Sequence, residues 1–227
     1  MYKIAWLSLC GRFTILAAAL ASASSLASEG AWLSTPSAHG LVAVKSWKTL
    51  RDGRVVKQDL DYSCGAASLA TLLNAFYGQS LTEAALLEAM DKGGLRASFE
   101  DMQRALPQFG FKAQGFAASY EQLMRLKAPV VVYLKYRNDD HFSVLRGIDA
   151  HTVWLADPSL GNRTFSRAQF LDMWQTRGGK GNAELAGKFL AVLPLNADVH
   201  SVSDFFTTAP QRQSAQAIQQ LRFRSAP

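Results

Sequence analysis

Midway along this chain the spacing of apolar residues changes from helical to strand-like, and that change limits the folds open to it. From Cys64 onward Leu69, Leu72, Leu73 and Phe76 recur at the spacing of one helix face, and Gly78 then stops the run. Further helix starts carry a common signal, a serine followed three residues later by an acid or glutamine, whose side chains satisfy free N–H groups of a first turn. Ser80 with Glu83, Ser98 with Asp101, Ser119 with Gln122 and Ser166 with Gln169 predict helices near 80–92, 98–108, 119–126 and 166–175. Strand-like runs lie at 111–117, 129–136, 141–147, 152–156 and 188–194. Helices dominate the first half and strands the second. This segregation predicts an α+β fold with an N-terminal helical layer on a C-terminal antiparallel sheet, since a doubly wound fold would alternate the two throughout.

The ends of the chain have a different character. Lys3 and Arg12 precede an apolar run from Phe13 to Ala21, and small residues follow as far as Ala27. That is the layout of a secretory signal peptide over residues 1–27, cleaved after Ala27 with Ala23 as a second choice. The alternative is a membrane anchor, but the run falls short of the roughly 20 residues that span a bilayer. Cys10 follows the bulky Leu9, which argues against lipid attachment there. The expected location is therefore extracytoplasmic, the periplasm in a Gram-negative cell, with no stable membrane insertion after cleavage. Residues 28–47 form a linker or N-terminal extension, rich in Ser, Gly, Ala and Pro as far as 40. Extended segments are expected at 41–47 and 54–58 about the turn Asp52-Gly53. The domain proper spans 48–195, and a polar tail over 196–227 is expected to be disordered or loosely docked.

Without residues 1–27 the chain carries 22 basic and 18 acidic residues, a mild excess that is scattered along the sequence. It does not point to nucleic acid as a partner. Cysteine usage says more, because only Cys64 then remains and no internal disulfide can form. A lone thiol in an oxidising compartment is either buried and inert or reactive by design.

Its neighbours favour the reactive reading. Cys64 opens a helix, where unpaired N–H groups and a partial positive charge favour thiolate over thiol. Gly65 and the small residues after it would leave room for a substrate backbone. A thiolate nucleophile needs a proton-carrying partner, and histidine suits that task near neutral pH. Of four histidines, His39 lies in the linker, His200 in the tail and His151 in a turn between strands. His141 starts an apolar strand after a polar loop and is the best base candidate. Two adjacent strands over 141–147 and 152–156 would form a hairpin that returns Asp157 to the level of His141, so Asp157 can orient the imidazole. Asp149 sits in the far turn and is a poorer candidate, Asp139 and Asp140 look solvated, and Asp157-Pro158 also fits simple turn chemistry. Gln58, six residues before Cys64, can supply an amide to an oxyanion hole beside the nucleophile's own N–H.

Taken together, the segment from Gln58 through Cys64-Gly65 to Leu73, the run His141 to Asp149 and the run Val153 to Pro158 resemble the motifs of the C39 cysteine peptidase family. The resemblance covers roughly residues 50 to 195. It implies a papain-like fold and hydrolysis of peptide bonds, in many members after a double-glycine leader, with a Cys64, His141 and Asp157 triad and Gln58 in the oxyanion hole. It implies a peptide or protein substrate and no metal or cofactor. Most such domains belong to peptide-exporting transporters, whereas this chain shows a signal peptide, no membrane domain and no phosphate-binding loop. It is more similar to free-standing exported members, including the peptidase of functional-amyloid (Fap) secretion operons, which points to a secreted amyloid subunit or export component as substrate or partner. The departure puts double-glycine specificity in doubt. Two other readings are a non-catalytic peptide-binding or chaperone-like module of the same fold, and Cys–His chemistry directed at cell-wall peptides. Gly93-Gly94 and the loop Gly178 to Gly181 read as flexible loops, the latter expected beside the cleft.

Overall fold

The computed structural model describes residues 30–136, 139–176 and 185–212 of the chain. It divides into two units, Met1–Val44 and Lys45–Pro227. The predicted signal peptide, the loop Gly178 to Gly181 and the end of the tail fall outside the described residues.

In the first unit the expected linker is instead a β-hairpin. Strands β1 (Gly30–Thr35) and β2 (Ala38–Ala43) pair antiparallel, with Trp32 opposite Leu41. The Thr35 hydroxyl accepts the Ala38 N–H at 3.0 Å and closes the turn. An aromatic residue across from an aliphatic one supports such a pair.

The second unit begins with a short helix, α1 (Trp47–Asp52), which shares only Trp47 with the extended segment expected at 41–47 and runs into the expected turn at Asp52-Gly53. Ser46 caps it by accepting the Thr49 N–H at 3.1 Å. The signal escaped because threonine stands where an acid or glutamine would have completed the capping pair. Residues 54–58, also expected to be extended, form no strand.

Helix α2 (Cys64–Tyr77) is the centre of the unit. Ala and Leu dominate its sequence, and its residues are buried continuously from Cys64 to Leu73. A helix apolar on nearly every side must be surrounded, and α2 is packed between the sheet and the helix that follows it. It ends where Gly78 takes φ +66°, a left-handed conformation that lets its N–H reach back to Leu73 O. Helix α3 (Glu83–Met90) is capped by Thr82, two residues beyond the predicted Ser80. Ser98 closes a full capping box with Asp101 on α4 (Phe99–Ala105), and a 3₁₀ turn over Leu106–Phe109 follows. Ser119 and Ser166 close the same box on α5 (Tyr120–Leu123) and α6 (Arg167–Trp174), as their spacing predicts.

The sheet has strand order β3-β8-β4-β5-β6-β7, all neighbours antiparallel. Its strands are β3 (Phe111–Ala118), β4 (Val130–Tyr136), β5 (Asp139–Ile148), β6 (Thr152–Asp157), β7 (Gly161–Ser166) and β8 (Gly187–Pro194). The fold is α+β, as predicted. Leu190, Val131, Val144 and Ala156 align across four strands and pack against α2, while Leu134, Leu145, Val153 and Leu155 pack with Phe170 and Trp174 of α6 on the other side. Strand β7 was not predicted, because its residues are largely polar; Asn162 holds it in place by donating to Gly53 O at 2.8 Å and accepting from Arg146 at 2.7 Å.

The first part of the tail is well anchored rather than loose. Thr207 forms a parallel bridge beside Gly147, its N–H donating to Arg146 O at 3.0 Å and its carbonyl accepting from Ile148 at 3.2 Å. Phe205 is 1% exposed and stacks over the Arg146 guanidinium at 4.5 Å, with Trp154 at 4.1 Å from the same group. Burial, with the nearby Arg54 charge, lowers the Arg146 pKa to about 10 despite the opposing Asp204. Two aromatic faces thus stack on the cation, and the Asn162 side-chain oxygen accepts one of its N–H groups at 2.7 Å.

Candidate active site

Cys64 is the first residue of α2 and is 3% exposed. The turn leading into it is tight: the Ser63 hydroxyl donates to Leu60 O at 2.7 Å, and the Ser63 N–H reaches the same carbonyl at 3.2 Å. Ser63 therefore spends its side chain on the turn and caps no N–H of the helix. The small Gly65 serves packing, not substrate approach as predicted, since a Cβ there would lie 2.5 Å from the Met102 methyl and 3.4 Å from Phe142.

His141 lies near the start of β5, and the hairpin with β6 carries Asp157 back to it. The His141 Nε2 and Asp157 Oδ2 are 2.8 Å apart, with side chains 15% and 5% exposed. An ionised carboxylate can only accept, so Nε2 carries the hydrogen and Nδ1 is left for Cys64, with which the ring also interacts. The other Asp157 oxygen accepts the N–H groups of Ser159 at 2.9 Å and Leu160 at 2.8 Å. Asp157 thus meets the imidazole through one oxygen and closes the turn at Pro158 through the other. Burial alone would push His141 down, but the hydrogen bonds and charges of Asp157 and Cys64 outweigh it and raise its pKa to about 9. Burial likewise opposes ionisation of Asp157, yet His141 and the two backbone donors hold its carboxyl below the usual range.

Of the remaining candidates, Asp139 and Asp140 border the same cleft as His141, which His151 and Asp149 do not line. His39 pairs with Ser34 in the hairpin at 3.1 Å, and His151 is exposed in the β5–β6 turn. Asp149 is occupied in that turn, accepting the N–H groups of His151 and Thr152. Asp139 and Asp140 are exposed, paired with Arg96 at 3.8 Å and Lys135 at 3.6 Å respectively.

Gln58 borders the same cleft as His141. Its backbone N–H donates to Pro158 O at 3.1 Å, its Nε2 to Leu60 O at 2.9 Å, and its Oε1 accepts the Ser159 hydroxyl at 2.7 Å. A cavity of about 350 Å³ opens here, lined by Gln58, Asp61, Arg96, Asp140, His141 and Ser159 among others. Sequence reasoning missed Glu83 and Ser159. The buried Glu83 carboxylate accepts the Asp59 N–H at 3.0 Å and so braces the loop between Gln58 and Cys64. Nothing local marks that role, since an acid in the first turn of a helix reads as an ordinary dipole partner.

The helix-borne cysteine facing a histidine and aspartate on an antiparallel sheet defines a papain-like cysteine-peptidase fold. A crystal structure of a double-glycine-motif protease from an AMS/PCAT transporter, bound to its leader peptide, superposes with a TM-score of 0.50 at 22% identity, covering 62% of this chain and 90% of that one. The Peptidase C39 family model matches residues 52–177, and the chain belongs to that family. Among similar curated proteins, the "probable functional amyloid protease FapD" of Pseudomonas aeruginosa is 35% identical over 138 residues, 58% of this chain and 61% of that protein. Its namesake in Pseudomonas fluorescens is 35% identical over 145 residues, 60% of this chain and 64% of that protein. The match thus spans somewhat less than two thirds of these relatives. Among the described residues no helix is long and apolar enough to cross a membrane.

Proposed function

We propose that this chain is an exported cysteine endopeptidase that processes a protein of a secretion or functional-amyloid system. The observation that carries the reading is His141, held by Asp157 through one ring nitrogen and left to Cys64 through the other. In the proposed reaction the Cys64 thiolate attacks a peptide carbonyl and forms a C–S bond. Gln58 Nε2 and the Cys64 backbone N–H stabilise the oxyanion. The protonated His141 gives its proton to the leaving amine as the C–N bond breaks, and a thioester remains on Cys64. Water, deprotonated by His141, then hydrolyses the thioester and restores the thiol. Asp157 keeps the proton on Nε2 and stabilises the imidazolium.

The relatives' names support an amyloid subunit or export component as substrate, and the N-terminal segment supports action in the periplasm after cleavage near Ala27. The test is processing of the natural secretion substrate in cells carrying Cys64→Ala or His141→Ala. Loss of processing with normal protein levels is expected. Unchanged processing in both variants would remove the peptidase role in favour of a binding module.

A further inference from the structure

We propose that Ser159 is a positioning residue that fixes which way the Gln58 side-chain amide faces. The inference rests on the reading of Gln58 as an oxyanion donor and extends it to the group that orients that donor.

The Gln58 amide is bonded at both ends. Leu60 O is a carbonyl and can only accept, so the atom 2.9 Å from it is the amide nitrogen. The amide oxygen then faces Ser159, and the serine hydroxyl donates to it at 2.7 Å. The nitrogen is thereby directed to the Leu60–Ser63 turn that leads into Cys64, and its second N–H is left over for a substrate oxygen. Reversed, the amide would present oxygen lone pairs to an oxyanion and repel it.

Ser159 is suited to this by its other bonds. Its N–H donates to Asp157 Oδ1 at 2.9 Å, and its carbonyl accepts from Lys57 Nζ at 2.5 Å. The neighbouring Pro158 O holds the Gln58 N–H at 3.1 Å. One exposed serine thus ties the carboxylate that orients His141 to the amide that would receive the oxyanion, across 101 positions of sequence. Leu60 O also accepts from Ser63, so its hold on the amide nitrogen is shared and the hydroxyl supplies a second, independent constraint.

The test compares two probes of Cys64 on the full chain. Iodoacetamide alkylates the thiolate by displacement and forms no oxyanion. p-Nitrophenyl acetate acylates it through a tetrahedral oxyanion, forming a thioester and releasing p-nitrophenolate. Both products are read by mass spectrometry of the Cys64 peptide. Ser159→Ala and Ser159→Val should slow acylation about tenfold, less than the ~10²–10³ seen when an oxyanion donor itself is lost, and leave alkylation within about twofold. Ser159→Thr, which is isosteric with valine and restores the hydroxyl, should acylate near the wild-type rate. If Gln58→Ala is slow to acylate while both Ser159→Ala and Ser159→Val are not, the positioning role is overturned and the Gln58 reading stands. Wild-type acylation by Gln58→Ala would overturn both. Equal slowing of both probes by the serine variants would overturn the proposal in favour of an effect through Asp157 or the fold.

Discussion

Replacing Asp157 with asparagine tests the site most directly, because it changes one charge without changing the shape of the side chain. In the native protein His141 is raised from 6.5 to about 9, a displacement worth on the order of 3 kcal/mol in favour of the imidazolium. Burial is the largest influence and acts against the charge, so Asp157 must supply much of what overcomes it. Neither side chain is more than 15% exposed, and solvent screening is correspondingly weak. In Asp157→Asn the imidazole should fall to or below its ordinary value. Asparagine must also place its NH₂ either against the N–H groups of Ser159 and Leu160, donor against donor, or against His141 Nε2, which can then accept only with the ring hydrogen moved to Nδ1. Together these effects should lower turnover by about 10²–10⁴.

The linkage has a definite sign. The raised His141 contributes stability that is complete below about pH 6.5 and is lost as pH rises through about 9. The lowered Asp157 contributes stability that is present above about pH 4 and is lost on acidification. The stability deficit of Asp157→Asn should therefore be greatest between about pH 4 and 6.5, decline as pH rises from there through about 9, and shrink on acidification below about pH 4. The assay is the rate of Cys64 alkylation by iodoacetamide across pH, beside urea unfolding at pH 3, 7 and 10. An alkylation profile and a stability difference that both match wild type at pH 7 would refute the coupling of Asp157 to His141.

Wild-type turnover should decline on the alkaline side as His141 loses its proton near pH 9, since the neutral ring cannot protonate the leaving amine; a rate still rising at pH 10 would contradict this. Gly65→Ala should lower unfolding free energy by about 1–3 kcal/mol in urea titrations, because the new methyl must displace the buried Met102. Phe205→Ala should cost about 3–5 kcal/mol and increase protease sensitivity of the tail, since it opens a cavity over Arg146 and bares the cation. Gly161→Ala should also destabilise the fold, measured by thermal melting, because Gly161 has φ +79° and its Cβ would meet Arg51 O at 2.5 Å.

Much of the local structure was legible in the amino-acid order. Three of the four serine capping pairs mark true helix starts, because a cap is satisfied within one turn and needs nothing from the rest of the chain. The apolar run after Cys64 similarly announces a helix whose every side must be covered. Elements that rely on partners were harder to see. Strand β7 is held by Asn162 bonds to Arg51 of α1, to Gly53 just after it and to Arg146, and β1 and β2 by each other. The tail reads as polar and loose because its anchors, Phe205 and Thr207, find their sites on β5, some 60 residues earlier in the chain.

The site divides along the same line. Residue types and spacing alone nominated Cys64, His141, Asp157 and Gln58, since a nucleophile at a helix start and a base at a strand start are local features. Only tertiary structure decided how they meet. The β5–β6 register, with its irregularity between Leu145 and Gly147, sets how Asp157 Oδ2 meets His141 Nε2 at 2.8 Å. The fold likewise filled the space above Gly65 with Met102 and brought Ser159 and Glu83 to the loop that holds Gln58 and leads into Cys64. Those contacts join residues far apart in sequence, and only the closing of the chain around α2 selects them from the many polar pairs it could have formed.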